Sequence, residues 1–122
     1  MKLHLSTASG RNAFTAYGEG YVMVNGARHE SSLIVLPDRL LPWDATSVEG
    51  LSAGDFSIFL DMKIEILLLG TGKSQRFPPP ALTRRLGAAG IGLEVMDLHA
   101  ACRTYNILMA EERRVAAALL FA

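Results

Sequence analysis

The stretch MDLHAACRTYNILMAEERR, residues 96–114, places the chain's one cysteine, Cys102, beside Arg103, with Asp97 and His99 just upstream. A cysteine nucleophile needs a lowered pKa, which a neighbouring guanidinium or a nearby helix N-terminus can supply. The spacing predicts a helix over 98–110 with Asp97 as N-cap. On that helix Leu98, Ala101, Cys102, Tyr105, Leu108 and Met109 fall on one apolar stripe. Cys102 is therefore expected in the core, where free cysteines are most often found. Adjacent helical residues point about 100° apart, so Arg103 is not set to touch it. A Cys–His pair with His99 would still need an orienting carboxylate. Asn106, His99 and Arg103 form the neighbouring polar stripe, the edge left to meet a ligand or a partner.

A second candidate is GTGKS at 70–74, following the apolar run IEILLLG. Gly70 and Gly72 would let backbone amides approach an anion, and Lys73 would add charge. A phosphate loop needs a glycine five positions before Gly72, where Leu67 stands, and QRFPPP intervenes where its helix should begin. The dinucleotide fingerprint fails as well, because Gln75 occupies the place of its third glycine. A tight turn after a strand is the simpler reading. Metal binding has less support still. His4, His29 and His99 lie in different elements without ligand spacing and read as surface residues, and one cysteine makes no zinc pattern.

These residues must be carried by a small fold. The 122 residues are enough for one domain with a real core, half of them hydrophobic. Twelve basic and twelve acidic side chains cancel, which removes the bulk field a nucleic-acid binder or an anionic membrane surface would use. No apolar run approaches the roughly 20 residues of a membrane span, and the first dozen residues lack a secretory apolar core. A lone cysteine needs no oxidising compartment, so a soluble, cytoplasmic protein is expected.

Two patterns divide the chain. Up to Pro42, short apolar runs broken by glycines predict an antiparallel meander, with Asn25-Gly26 as a type I′ turn between strands ending at Val24 and starting near Arg28. Ser52 and Asp55 cap a short amphipathic helix, marked by Phe56, Phe59 and Leu60, that runs to about Met62. From residue 64 the pattern becomes strand, helix stopped by Gly90, and strand, with 64–69 and 91–96 parallel in one sheet. The helix over 98–110 and a last strand in RVAAALLF complete the chain.

Ligands of parallel sheets gather beyond the carboxyl ends of strands, where both GTGKSQ and MDLH should lie. Thr71, Gly72, Asp97, His99 and Arg103 are thus expected around one crevice. Glu94 is a second carboxylate near that end, or else a buried or half-buried ion-pair partner.

Taken together, LLLGTG, GIGLEVMD, AACRTYNIL and RRVAAALL, with GYVMVNG and SLIVLP before them, resemble the Mth938-like family of small, largely uncharacterised domains. One member of that family is a mitochondrial respiratory complex I assembly factor. The resemblance spans nearly the whole chain. It implies a three-layer α/β domain: a mixed sheet with helices on one face and a smaller antiparallel sheet on the other. It carries over Gly70, Thr71, Gly72, Glu94, Asp97, Cys102, Arg103, Thr104 and Asn106 as motif positions, and no reaction. Leu98 and His99 depart from the small residues of the family's helix start, and Glu112 replaces an expected glycine.

With no complete catalytic constellation, the reading leans away from an enzyme and implies no cofactor. It favours a non-enzymatic interaction or assembly-factor-like protein. The partner is an unidentified protein, for which the resemblance implies respiratory-complex components, and exposed strand edges leave dimerisation open. The alternative is a small-molecule or anion-binding module, or a weak enzyme, using the crevice formed by 70–76 and 96–103.

Overall fold

The computed structural model describes residues 10–122; His4 lies outside them. Strands β1 (Phe14–Gly18), β2 (Tyr21–Val24) and β3 (Ala27–His29) form a small antiparallel sheet. Strands β4 (Leu33–Leu36), β5 (Arg39–Pro42), β6 (Ile66–Thr71), β7 (Gly92–Met96) and β8 (Val115–Leu120) form the large one, in the order β5-β4-β8-β6-β7. Helix α1 (Pro80–Ala88) joins β6 to β7, and helix α2 (Leu98–Ala110) joins β7 to β8. Strand β6 is parallel to both β7 and β8, whereas β4 is antiparallel to β5 and β8. The sheet is therefore mixed, as expected.

Local signals behave as their chemistry requires. Asn25 and Gly26 both have positive φ, 50° and 85°, and close the β2–β3 hairpin. The antiparallel meander, however, ends at β3 rather than at Pro42. LIVL in β4 is buried at every position, so it can pair only where both faces are covered, in the large sheet beside β8.

The segment after Ser52 is a 3-10 helix, Ala53–Asp61, rather than an α-helix. Its two buried residues, Phe56 and Phe59, are three apart, and a three-residue turn puts both on the side facing Trp43. The Trp43 indole N–H also donates to the Asp55 carbonyl at 3.0 Å.

Alternation along the large sheet divides the core in two. Val115, Ala117, Leu119 and Leu68 face α2 and the small sheet, while Ala116, Ala118, Leu120, Leu67 and Leu69 face α1 and the 3-10 segment. The three-layer α/β class stands, with one adjustment of layering: α2 lies on the side of the small sheet instead of joining α1. It can do so because Gly70 gives it room. A Cβ at Gly70 would lie 2.9 Å from Leu119 Cδ2 and 3.1 Å from the Ala101 Cβ. The three alanines of β8 similarly keep thin a strand that is buried at every position between β4 and β6.

Both α-helices end in the same turn. After α1, Ile91 N–H donates to the Leu86 carbonyl and Gly90 N–H to Gly87; after α2, Arg113 N–H donates to Leu108 and Glu112 N–H to Met109. The residue at the left-handed position is Gly90 (φ 80°) in the first and Glu112 (φ 62°) in the second. The turn into the last strand thus keeps the geometry that favours glycine, although the residue differs. Because a side chain there costs roughly 1–2 kcal/mol, partly offset by glycine's freedom when unfolded, Glu112→Gly should stabilise the protein by about 1 kcal/mol. An increased urea midpoint at unchanged slope would show it; an unchanged midpoint would mean that the Glu112 side chain makes a compensating contact.

Candidate functional site

The expected crevice exists at the carboxyl ends of β6 and β7, as a cavity of about 270 Å³. Gly72 and Lys73 contribute from the turn after β6, and Asp97, Leu98 and His99 from the start of α2. The remaining wall is Glu19 and Gly20 of the β1–β2 turn together with Phe121. Of the residues expected there from sequence, Gly72, Asp97 and His99 are present; Thr71 and Arg103 are not among those lining it.

The GTG motif is occupied with internal structure. Gly70 admits α2, as described above. Thr71 is fully buried, and its hydroxyl donates to the Ser74 carbonyl at 2.6 Å and accepts the Arg76 N–H at 3.0 Å, pinning the following loop. Gly72 adopts φ 74°, and its carbonyl accepts the Leu98 N–H at 2.8 Å. Asp97 is the N-cap, its Oδ1 accepting the Ala100 N–H at 2.8 Å. Two of the N–H groups that an anion would seek at this helix end are thus already satisfied.

The polar stripe of α2 also turns inward. The Asn106 side chain is buried and accepts the Phe14 N–H at 2.9 Å while donating to the Phe14 carbonyl at 2.8 Å. His99 Nε2 lies 2.9 Å from the Gly18 carbonyl, which can only accept, so Nε2 carries a proton. The imidazole stacks on Tyr17 with centroids 4.2 Å apart, and Arg103 donates to the Tyr17 hydroxyl at 2.8 Å. The Tyr105 hydroxyl donates to the Asn12 carbonyl at 2.9 Å. Side chains of α2 therefore line the open edge of β1 as a neighbouring strand would. Asn106, His99 and Arg103, expected from sequence to meet a ligand or a partner, thus meet β1, and of the three His99 also lines the crevice.

Cys102 is fully buried, and burial pushes its thiol from 9.0 up to about 12, with Arg103 pulling down and Asp97 pushing further up. That is the reverse of what a nucleophile needs. Glu94 is exposed on the edge strand β7, neither half-buried nor on the crevice wall. The histidines are not simple surface residues: His29 and His99 are both half-buried, and His29 Nε2 has no hydrogen-bond partner. Among the described residues no group of three or more His, Cys, Asp or Glu side chains is placed to hold a metal ion.

Sequence reasoning missed Glu19 and Phe121. The GEG turn at 18–20 announces only itself, and nothing local says that it reaches a helix beginning some 80 positions later. Glu19 pairs with Lys73 across the cavity at 3.0 Å.

Residues 14–120 match the model of a protein family of unknown function, DUF498/DUF598. The chain belongs to this family. It is 34% identical over 107 residues to NADH dehydrogenase [ubiquinone] 1 alpha subcomplex assembly factor 3 of Bos taurus, covering 86% of this chain and 58% of that protein. The chain thus spans little more than half the length of that relative. A crystal structure of a Bordetella parapertussis protein superposes with a TM-score of 0.88 at 40% identity, covering 94% of this chain and 99% of the other. The solution structure of a Bordetella pertussis protein described as an Mth938-like domain gives 0.79 at 37%, covering 98% and 92%. The Mth938-like resemblance is therefore confirmed at the level of family and fold. No helix among the described residues is long and apolar enough to cross a membrane.

In this family member the helix signature is first a structural device, and two predictions follow from that. Asn106→Ala leaves a buried N–H and a buried carbonyl of Phe14 without partners and should cost about 3 kcal/mol in chemical denaturation. Asn106→Asp should be no milder, since a carboxylate cannot donate to the carbonyl; wild-type stability in either variant would refute the edge-closing role.

Burial of Cys102 and Tyr105 raises both acids, so their protonated forms favour the fold. The stability they contribute is complete below the unfolded thiol value near 9 and is lost as pH rises toward 12. Cys102→Ala should remove up to about 1.4 kcal/mol per pH unit from the alkaline slope of stability. Native Cys102 should also resist iodoacetamide at neutral pH and react after denaturation.

Proposed function

We propose that this protein acts without catalysis, as an assembly-factor-like protein working through protein partners. The carrying observation is its likeness to complex I assembly factor 3: 34% identity over 86% of this chain with the Bos taurus protein. The site geometry supports the reading by subtraction. The one thiol is buried with its pKa pushed up to about 12, Asp97 and Asn106 serve as cap and edge partner, and the GTG turn is filled by its own hydrogen bonds.

In this reading the partners are components of a respiratory NADH dehydrogenase, and the chain meets them in the cytoplasm, where a lone thiol needs no oxidative pairing. Oligomeric state is a separate matter. The small-molecule alternative gains no support from the cavity as an anion site, because Glu19 and Asp97 set two carboxylates against the single ammonium of Lys73.

Deleting the gene should lower the amount of assembled NADH dehydrogenase in native gels of the membrane fraction several-fold. Re-expression of the chain should restore it, and so should the Cys102→Ala chain, because no thiol chemistry is involved. Normal levels of the assembled complex in the deletion strain would overturn the proposal.

A further inference from the structure

The cavity beside α2 has the chemistry of a cation acceptor. Its charged wall is Glu19, Asp97 and Lys73, two carboxylates to one ammonium. Asp97 spends Oδ1 on Ala100, and the nearby Leu98 N–H is taken by the Gly72 carbonyl, so the positive end of the helix is largely neutralised. The apolar part of the wall is Leu98 and Phe121. With Nε2 bonded to Gly18, the nitrogen left to His99 for other contacts is Nδ1, an acceptor in the neutral ring.

Across the rim lies Lys73, paired with Glu19 at 3.0 Å while both side chains stay about four-fifths exposed. An ion pair so exposed is weak and readily exchanged.

We propose that this cavity receives a lysine or arginine side chain of a partner protein, with Lys73 as the internal stand-in that the incoming side chain displaces from Glu19. This rests on the interaction reading above and names the chemistry of the partner's contact. Size is compatible with a side chain: about 270 Å³ lies at the lower edge of the roughly 300–1,000 Å³ of typical small-molecule sites. Shape favours it. Gly20 (φ 77°) and Gly72 (φ 74°) line the cavity without side chains, and Leu98 and Phe121 suit the aliphatic stem of a residue whose charged head sits among oxygens.

The probes are N-acetyl-lysine methylamide and N-acetyl-arginine methylamide, titrated against the intact protein while the backbone amide resonances of Gly20, Gly72 and His99 are followed. Both should give saturable millimolar shifts confined to the cavity. N-acetyl-glutamate methylamide and inorganic phosphate should give none. Affinity should fall several-fold in Glu19→Gln and in Asp97→Asn, which retains a capping side chain.

The decisive variant is Lys73→Met, which removes the competitor and should tighten binding several-fold; an unchanged or weaker affinity would overturn the proposal. So would cavity shifts with phosphate, or binding of free butylamine and methylguanidinium but not of the blocked residues, which would assign the site to small amines. The titration stands apart from the gel assay. Normal complex levels in the deletion strain remove the assembly reading without touching the cavity, and a failed titration removes the cavity assignment alone.

Discussion

The fold turns on how strand β1 finishes its hydrogen bonds. On one side β1 pairs with β2; on the other no strand lies beside it among the described residues, and the Phe14 backbone is buried there. A buried amide left unpaired costs about 1–3 kcal/mol, and one residue exposes both a donor and an acceptor. Asn106 answers both with one side-chain amide. Among neutral side chains only asparagine and glutamine offer a donor and an acceptor in that paired arrangement. Tyr105 at Asn12 and His99 at Gly18 continue the same edge in both directions. A helix thereby stands where a fourth strand would extend the three-stranded sheet.

That substitution explains the layering. An α-helix ordinarily buries one stripe, but α2 must bury two adjoining ones: an apolar stripe against β6 and β8, and a polar one against β1. The first demands close approach, met by Ala101 over Gly70. The second demands directional bonds, met by Asn106, His99 and Arg103. Phe14 lies edge-on to Tyr105 with ring centroids 5.2 Å apart, locking the two requirements into one rotation of the helix. Residues that look from sequence like a catalytic cluster are the ones that fix this rotation.

Local chemistry was legible in the sequence, and non-local closure was not. Asn25-Gly26, Asp97 and Gly90 announce a turn, a cap and a stop through their own backbone preferences, and each does what it announces. Periodicity placed Cys102 in the core because one helical stripe contains it. Periodicity could not say which sheet β4 joins, because a fully apolar strand fits any doubly covered position and the choice depends on β8, more than 80 residues later. It likewise read Asn106 as outward, since a polar residue beside an apolar stripe faces solvent unless another element needs its amide. The layer containing α2 was misplaced for the same reason: the demand comes from β1, which lies outside the window in which the helix is read.

A net charge of zero conceals a separation along the axis of α2. Its N-terminal end carries Asp97, with Glu19 across the cavity; its C-terminal end adjoins a second cavity, about 290 Å³, whose wall includes Arg11, Lys63, Arg113 and Arg114. Arg11 donates to the Met109 carbonyl at 3.0 Å, so cations gather where helix carbonyls are left open. Asp38 and Glu112 temper that end, and Glu65 holds Arg113 at 2.8 Å while the Arg113 and Arg114 contacts keep its carboxyl below the ordinary range. Asp97 at the helix start and Arg11 at its end follow the helix dipole, while Glu111 and Glu112 at the same C-terminal end oppose it. Carboxylates that stabilise a helix start also create, in any cavity next to it, a preference for positive charge. The composition rules out a field acting over the whole molecule, but at contact distance the two ends remain electrostatically distinct.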